Sequence, residues 1–208
     1  MLILVLSLFL LQPTPQDLTS SQVVDNISRN YARLTSLSAE FEQRLQNSSN
    51  QTVQSRGHVD LKKGRRARFV YPDKQEFFDG KNYTQYTPSQ KNGTQIDMKR
   101  IDDDRLLIFL ILGNSESQWK DQFVETATMK VQPQVAGNLV IQLVPRNKDL
   151  KDVVVEVDPR NFLIQRFVVT KADGERNDYR FTSIKTNPLP DSLFEFKPGP
   201  EDLIVKPK

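Results

Sequence analysis

The chain has 208 residues, enough for one sizeable hydrophobic core and short for two. Its 37% hydrophobic and 26% charged residues exclude a disordered polymer, and 29 basic against 26 acidic residues leave a formal net charge of +3, too balanced to argue for nucleic acid. Cysteine is absent, which excludes disulfides, cysteine-ligated zinc and a cysteine nucleophile, and argues against a lipid joined to an N-terminal cysteine.

Residues 2–11, LILVLSLFLL, are almost wholly apolar. A membrane-spanning helix needs about 20 such residues, so this run is too short and fits the apolar region of an export signal. No Lys or Arg precedes the run and no A-x-A follows it, but Pro13 and Pro15 would end any helix there. The expectation is a signal peptide over about residues 1–18 and a single exported domain over 19–208.

Thr19 and Gln22 are spaced as a capping box, and Val23, Val24, Ile27, Tyr31 and Leu34 recur at helical spacing. The spacing predicts an amphipathic helix from about Ser21 to Ser36, with Asp25, Asn26, Arg29, Asn30 and Arg33 mostly on the opposite face. From Leu37 the period changes to two: Leu37, Ala39, Phe41 and Leu45 mark one face of a strand that Gln43 interrupts. Turn signals then recur, among them Gly57, Gly64, Asp79-Gly80, Asn92-Gly93, Gly137-Asn138 and Asp173-Gly174. They divide the chain into strands near 53–62, 66–72, 75–79, 82–87, 95–100, 124–131, 139–145, 152–158, 162–171, 177–187 and 193–197. With the strand after Leu37, this predicts one large antiparallel sheet that curls or closes. One segment departs from the pattern. Asp102, Asp103 and Asp104 lead into the apolar run Leu106–Leu112 and then Gly113, as in a short helix with acidic start and glycine stop. Apolar all round, such a helix needs burial on every side.

Catalytic signatures are not found. His58 is the single histidine and no G-x-S-x-G occurs, so the better reading of His58 is a half-exposed strand residue. The aspartates at 102–104 lack the spacing of a calcium loop. Lys62, Lys63, Arg65, Arg66 and Arg68 cluster around a turn, readable as a solvated hairpin tip or as a dock for an acidic partner or anionic lipid.

Taken in order, several stretches resemble one family. Ser36-Leu37-Ser38-Ala39-Glu40-Phe41-Glu42-Gln43 is similar to an opening strand, and Gly57-His58-Val59-Asp60-Leu61-Lys62-Lys63 with Ala67-Arg68-Phe69-Val70-Tyr71 to a glycine, basic turn and R-W/F-x-Y strand. Phe78-Asp79-Gly80-Lys81 and Tyr86-Thr87-Pro88 resemble a D-G-K…Y-x-P hairpin, and Asp173-Gly174, Tyr179, Phe181, Ile184, Asn187 and Phe194-Glu195-Phe196-Lys197-Pro198 the closing strands. Together they resemble the periplasmic outer-membrane lipoprotein carrier family, LolA, over about residues 20–205.

The resemblance implies a mainly β fold with a helical lid (α+β): a half-open, strongly curved antiparallel β-barrel of about eleven strands, its mouth plugged by helices. It implies a soluble, monomeric periplasmic carrier without enzymatic activity. Such a carrier receives acylated lipoproteins from an inner-membrane ABC transporter and passes them to an outer-membrane receptor. That receptor shares the fold but needs an N-terminal cysteine, so the missing cysteine favours the carrier. Candidate lipid contacts are Ile27, Tyr31, Leu34, Phe69, Tyr71, Tyr83, Ile96, Met98, Leu107, Leu110, Ile111 and Phe167. The chain departs from the family at two places. Lys63-Gly64 stands where an Arg-Pro latch closes the lid, leaving Lys63 or Arg65 as the replacement, and Thr84 stands where a Trp is usual. No catalytic residue, metal, cofactor or nucleic-acid partner is assigned. The alternatives are a LolA-like carrier or sensor of other lipids and, from a different class, a secreted β-sheet hydrolase with an unrecognised site.

Overall fold

The computed structural model describes residues 18–101, 123–128 and 132–207, the side chains of 125–128 excepted. The predicted leader and the apolar run 106–112 lie outside the described residues.

The first element is the helix α1 (Ser20–Arg33). Its capping box forms as the sequence predicts: Gln22 N–H donates to the Thr19 hydroxyl, and Thr19 N–H donates to Gln22 Oε1 at 2.8 Å. Val23, Val24, Ile27 and Tyr31 are buried along one stripe. The helix ends at Arg33 rather than Ser36. Leu34 is already extended, and Ser36 opens the first strand, where its backbone pairs with Lys62.

Twelve strands follow: β1 (Ser36–Gln46), β2 (Thr52–Lys62), β3 (Arg66–Val70), β4 (Gln75–Asp79), β5 (Asn82–Thr87), β6 (Asn92–Asp97), β7 (Phe123–Thr128), β8 (Leu139–Pro145), β9 (Leu150–Val157), β10 (Ile164–Lys171), β11 (Arg176–Lys185) and β12 (Leu203–Val205). They form a single sheet in the order β12-β6-β5-β4-β3-β2-β1-β11-β10-β9-β8-β7. Two antiparallel meanders, β1 to β6 and β7 to β11, are therefore joined through the pairing of β1 with β11. The two ends of the sheet, β12 and β7, do not pair with each other, so the barrel is open.

Among the described residues the sheet has twelve strands, not about eleven; the extra one is β12, which runs parallel to β6 and is too short to show a period. Residues 193–197 are not a strand. Prolines at 188, 190, 198 and 200 remove ladder donors around them. Residues 191–194 instead form a 3-10 turn that buries Phe194, while Phe196 packs on Phe77 and Tyr86 at centroid distances of 5.4 and 4.8 Å. This C-terminal segment is fastened to the sheet: Leu189 N–H donates to Ser36 Oγ, and Lys62 and Arg66 pair with Asp191 at 2.6 and 3.0 Å.

The main core lies on the other side of the sheet. Val59, Phe69 and Phe78 from one meander and Ile141, Val155 and Phe167 from the other join the α1 stripe in one cluster. Strands this far apart in the order share one cluster only because the sheet curves.

Candidate functional site

Alternation along the strands gives the inner face its composition. Leu37, Ala39 and Phe41 of β1 point inward, and the register places Leu61, Val59 and Gly57 of β2 opposite them. Gly57 is required there, since a Cβ would lie 2.2 Å from the Val70 carbonyl oxygen. Phe41 covers the bare backbone and meets Phe69, Tyr71 and Tyr179 edge-on, at 5.8, 5.2 and 6.0 Å between centroids. Tyr83 packs on Phe78 at 4.8 Å, and Tyr179 stacks on Phe181 at 6.1 Å. The result is a wall of aromatic rings, each worth a few kcal/mol of burial at about 25 cal/mol per Å². Gln43 also points inward. Its amide donates to Tyr179 Oη at 2.9 Å and Asn177 Oδ1 at 3.0 Å, which gives this polar break in the strand its partners.

Most of the candidate lipid contacts converge. Ile27, Tyr31, Phe69, Tyr71, Met98 and Phe167 are buried in the one cluster, with Leu34 and Tyr83 half-buried against it. Ile96 pairs with Tyr83 but remains half-buried outside that cluster. Leu107, Leu110 and Ile111 lie outside the described residues. Phe41, Phe78, Tyr179 and Phe181 belong to the same wall and were absent from the candidates. The period-two pattern around Phe41 was their signal, but parity alone does not say which face turns inward.

Helix α1 shares one apolar cluster with this wall and has polar fastenings near its C-terminal end. Tyr31 Oη accepts from Ile164 N–H at 2.9 Å, and Asn30 donates to the Asn161 carbonyl at 2.8 Å. Lys63, from the turn between β2 and β3, donates to the Ala32 carbonyl at 2.5 Å. The basic turn is thus divided between tasks. Lys62 and Arg66 hold the C-terminal segment, Lys63 reaches the helix, and Arg68 lies over the Phe77 ring at 5.8 Å. Thr84 is buried on the outer face and accepts from Gln95 at 3.0 Å.

His58 sits on the outer face between two carboxylates, Nδ1 at 2.9 Å from Glu40 and Nε2 at 3.0 Å from Asp60. Ser38 donates to Asp60 rather than to the imidazole, at 2.7 Å. Both ring nitrogens are engaged by acids, which leaves neither to activate a hydroxyl. The arrangement ties β1 to β2. Among the described residues no three acidic, histidine or cysteine side chains are grouped to hold a metal.

Among the described residues, an open, curved sheet and one amphipathic helix that share an apolar, aromatic-rich inner cluster define a half-barrel. The family model described as outer membrane lipoprotein carrier protein LolA matches residues 32–197, and the chain belongs to that family. It is 27% identical over 186 residues to an outer-membrane lipoprotein carrier protein of Haemophilus influenzae, covering 88% of this chain and 86% of the relative. To the protein of that description from Haemophilus ducreyi it is 28% identical over 188 residues, covering 88% and 84%. Among solved structures, an uncharacterized conserved protein from Thermus thermophilus superposes with a TM-score of 0.55 at 11% identity, covering 90% of this chain and 98% of that one. MucB superposes with a TM-score of 0.52 at 13% identity, covering 89% and 65%. These two likenesses concern the fold.

Proposed function

We propose that this protein is a soluble, non-enzymatic periplasmic carrier that shelters the acyl chains of lipoproteins between the two membranes. The observation that carries this reading is the aromatic inner face that shares one cluster with the buried stripe of α1. Each acyl methylene returned to water costs about 0.8 kcal/mol, so a chain-bearing protein does not leave a bilayer unaided. A carrier must offer an interior of similar quality and cover it when empty. Helix α1 meets the second need, since its buried stripe occupies a surface that acyl chains would otherwise touch. Loading then exchanges helix–wall contacts for chain–wall contacts, and the fastenings at Tyr31, Asn30 and Lys63 set how readily α1 gives way. Lys63 is the proposed latch. A lysine ammonium makes a point contact where a guanidinium would grip with two donors, so this latch releases more easily.

Cargo contact is assigned to Ile27, Tyr31, Leu34, Phe69, Tyr71, Tyr83, Ile96, Met98 and Phe167, with the apolar run at Leu107, Leu110 and Ile111 as a second lid segment. The donor is an inner-membrane ABC transporter, the acceptor is an outer-membrane receptor, and the leader ending near residue 18 directs export. The test is mass spectrometry of material that co-purifies with the protein from the periplasm. Acylated lipoproteins are expected; free phospholipid alone, or a protein without acyl-bearing ligand, would contradict the proposal. Leu110→Asp should reduce lipoprotein uptake in the same preparation while the far-ultraviolet spectrum stays that of a β protein.

A further inference from the structure

The outer face carries a groove of about 530 Å³ across β2, β1, β11 and β10. Five arginines line it, Arg44, Arg56, Arg166, Arg176 and Arg180, against the carboxylates Glu42 and Asp178. Strand register produces this concentration. One row reads Arg56, Glu42, Arg180, Arg166 and Glu156 from strand to strand. Arg180 and Arg166 therefore stand directly opposite each other, a like-charge cross-strand pair that costs stability. The neighbouring acids do not neutralise the excess. Asp178 takes Arg166 at 2.7 Å and Arg176 at 3.2 Å. Glu156 is buried and turned to the loop before β8, accepting from Gln134 N–H, Val135 N–H and Asn138 Nδ2. Arg44, Arg56 and Arg180 are exposed and form no ion pair with another described residue.

Guanidinium forks bind carboxylates in pairs of parallel hydrogen bonds. Four strands about 4.8 Å apart make a floor about 14 Å long, the reach of about four extended residues. The remaining lining is polar, with Gln54 and Gln134 offering amides to a peptide backbone. We propose that this groove docks an extended acidic segment of a partner protein. Its polar lining does not suit an acyl chain, and docking there leaves the inner face free for cargo.

The test is fluorescence anisotropy with a rhodamine-labelled peptide of alternating aspartate and serine, and its asparagine counterpart as control. The aspartate peptide should bind, lose affinity as salt rises, and bind the Arg56→Glu, Arg180→Glu double variant about tenfold or more weakly. Lys148→Glu, a charge reversal on the exposed turn between β8 and β9, should leave binding unchanged. Arg56→Gln with Arg180→Gln serves if the double reversal does not fold by circular dichroism. Equal affinity for both peptides, or equal affinity in wild type and variant, would overturn the proposal. So would a variant that loses only inorganic phosphate or vesicles of anionic phospholipid.

Discussion

Tyr31 does two things from one position. Its ring completes the apolar stripe of α1, and its hydroxyl receives the Ile164 amide at a buried site. Burial pushes the phenol well above its ordinary range, only partly offset by that amide, so it stays neutral. Tyr31→Phe keeps the ring and leaves the Ile164 N–H without its acceptor. Urea denaturation should record a loss of about 1–3 kcal/mol; an unchanged midpoint would mean that the hydroxyl has no such role. The stripe was legible from spacing, but the hydroxyl's partner lies far along the chain and no local pattern announces it. At His58, burial opposes the charged imidazole, yet hydrogen bonds to Glu40 and Asp60 and their negative charge outweigh it and raise the pKa. A group with a raised folded pKa contributes stability that is complete below its unfolded value, about 6.5, and is lost as pH rises through the folded value. The unfolding midpoint of wild type relative to His58→Gln should therefore be higher near pH 6 than near pH 8, by about what one ion pair contributes. A difference independent of pH would remove His58 from the account.

At the scale of elements, α1 is where sequence and structure agree best. Its capping box and buried face follow from local spacing, but it ends three residues before Ser36, because β1 claims Ser36 for the ladder. Residues 193–197 misled because Phe194 and Phe196 alternate like strand residues while the flanking prolines leave the segment to aromatic packing. The turn that holds Lys63 was readable as basic, but not its division among a helix carbonyl, an acidic C-terminal segment and a phenylalanine ring. Lys63 brings a positive charge to the carbonyl end of α1, a placement worth about 0.3–1 kcal/mol. Lys63→Leu should speed amide hydrogen exchange in the last turn of α1 and leave the β1–β11 ladder protected. Equal protection of α1 in both proteins would show that Lys63 does not hold it.

At the scale of the molecule, the decisive pairing joins β1 to β11, two strands separated by most of the chain. Local alternation predicts a large sheet that curls or closes, and the family resemblance a half-open barrel; neither shows which residues the β1–β11 pairing brings together. That pairing sets Phe41 against Phe181 on the inner face, and Glu42 against Arg180 on the outer face. One register thus builds both the aromatic wall and the arginine groove. Acyl chains that lie on the inner face touch one side of a single strand and its extension and not the other. A benzophenone amino acid at Tyr71, which faces the wall, and another at neighbouring Val70, whose register partner is His58 on the outer face, sample those sides. Irradiated in the periplasm, the Tyr71 position should form an adduct with the acyl-bearing part of a lipoprotein and the Val70 position should not. Adducts at both positions, or at Val70 alone, would contradict the account.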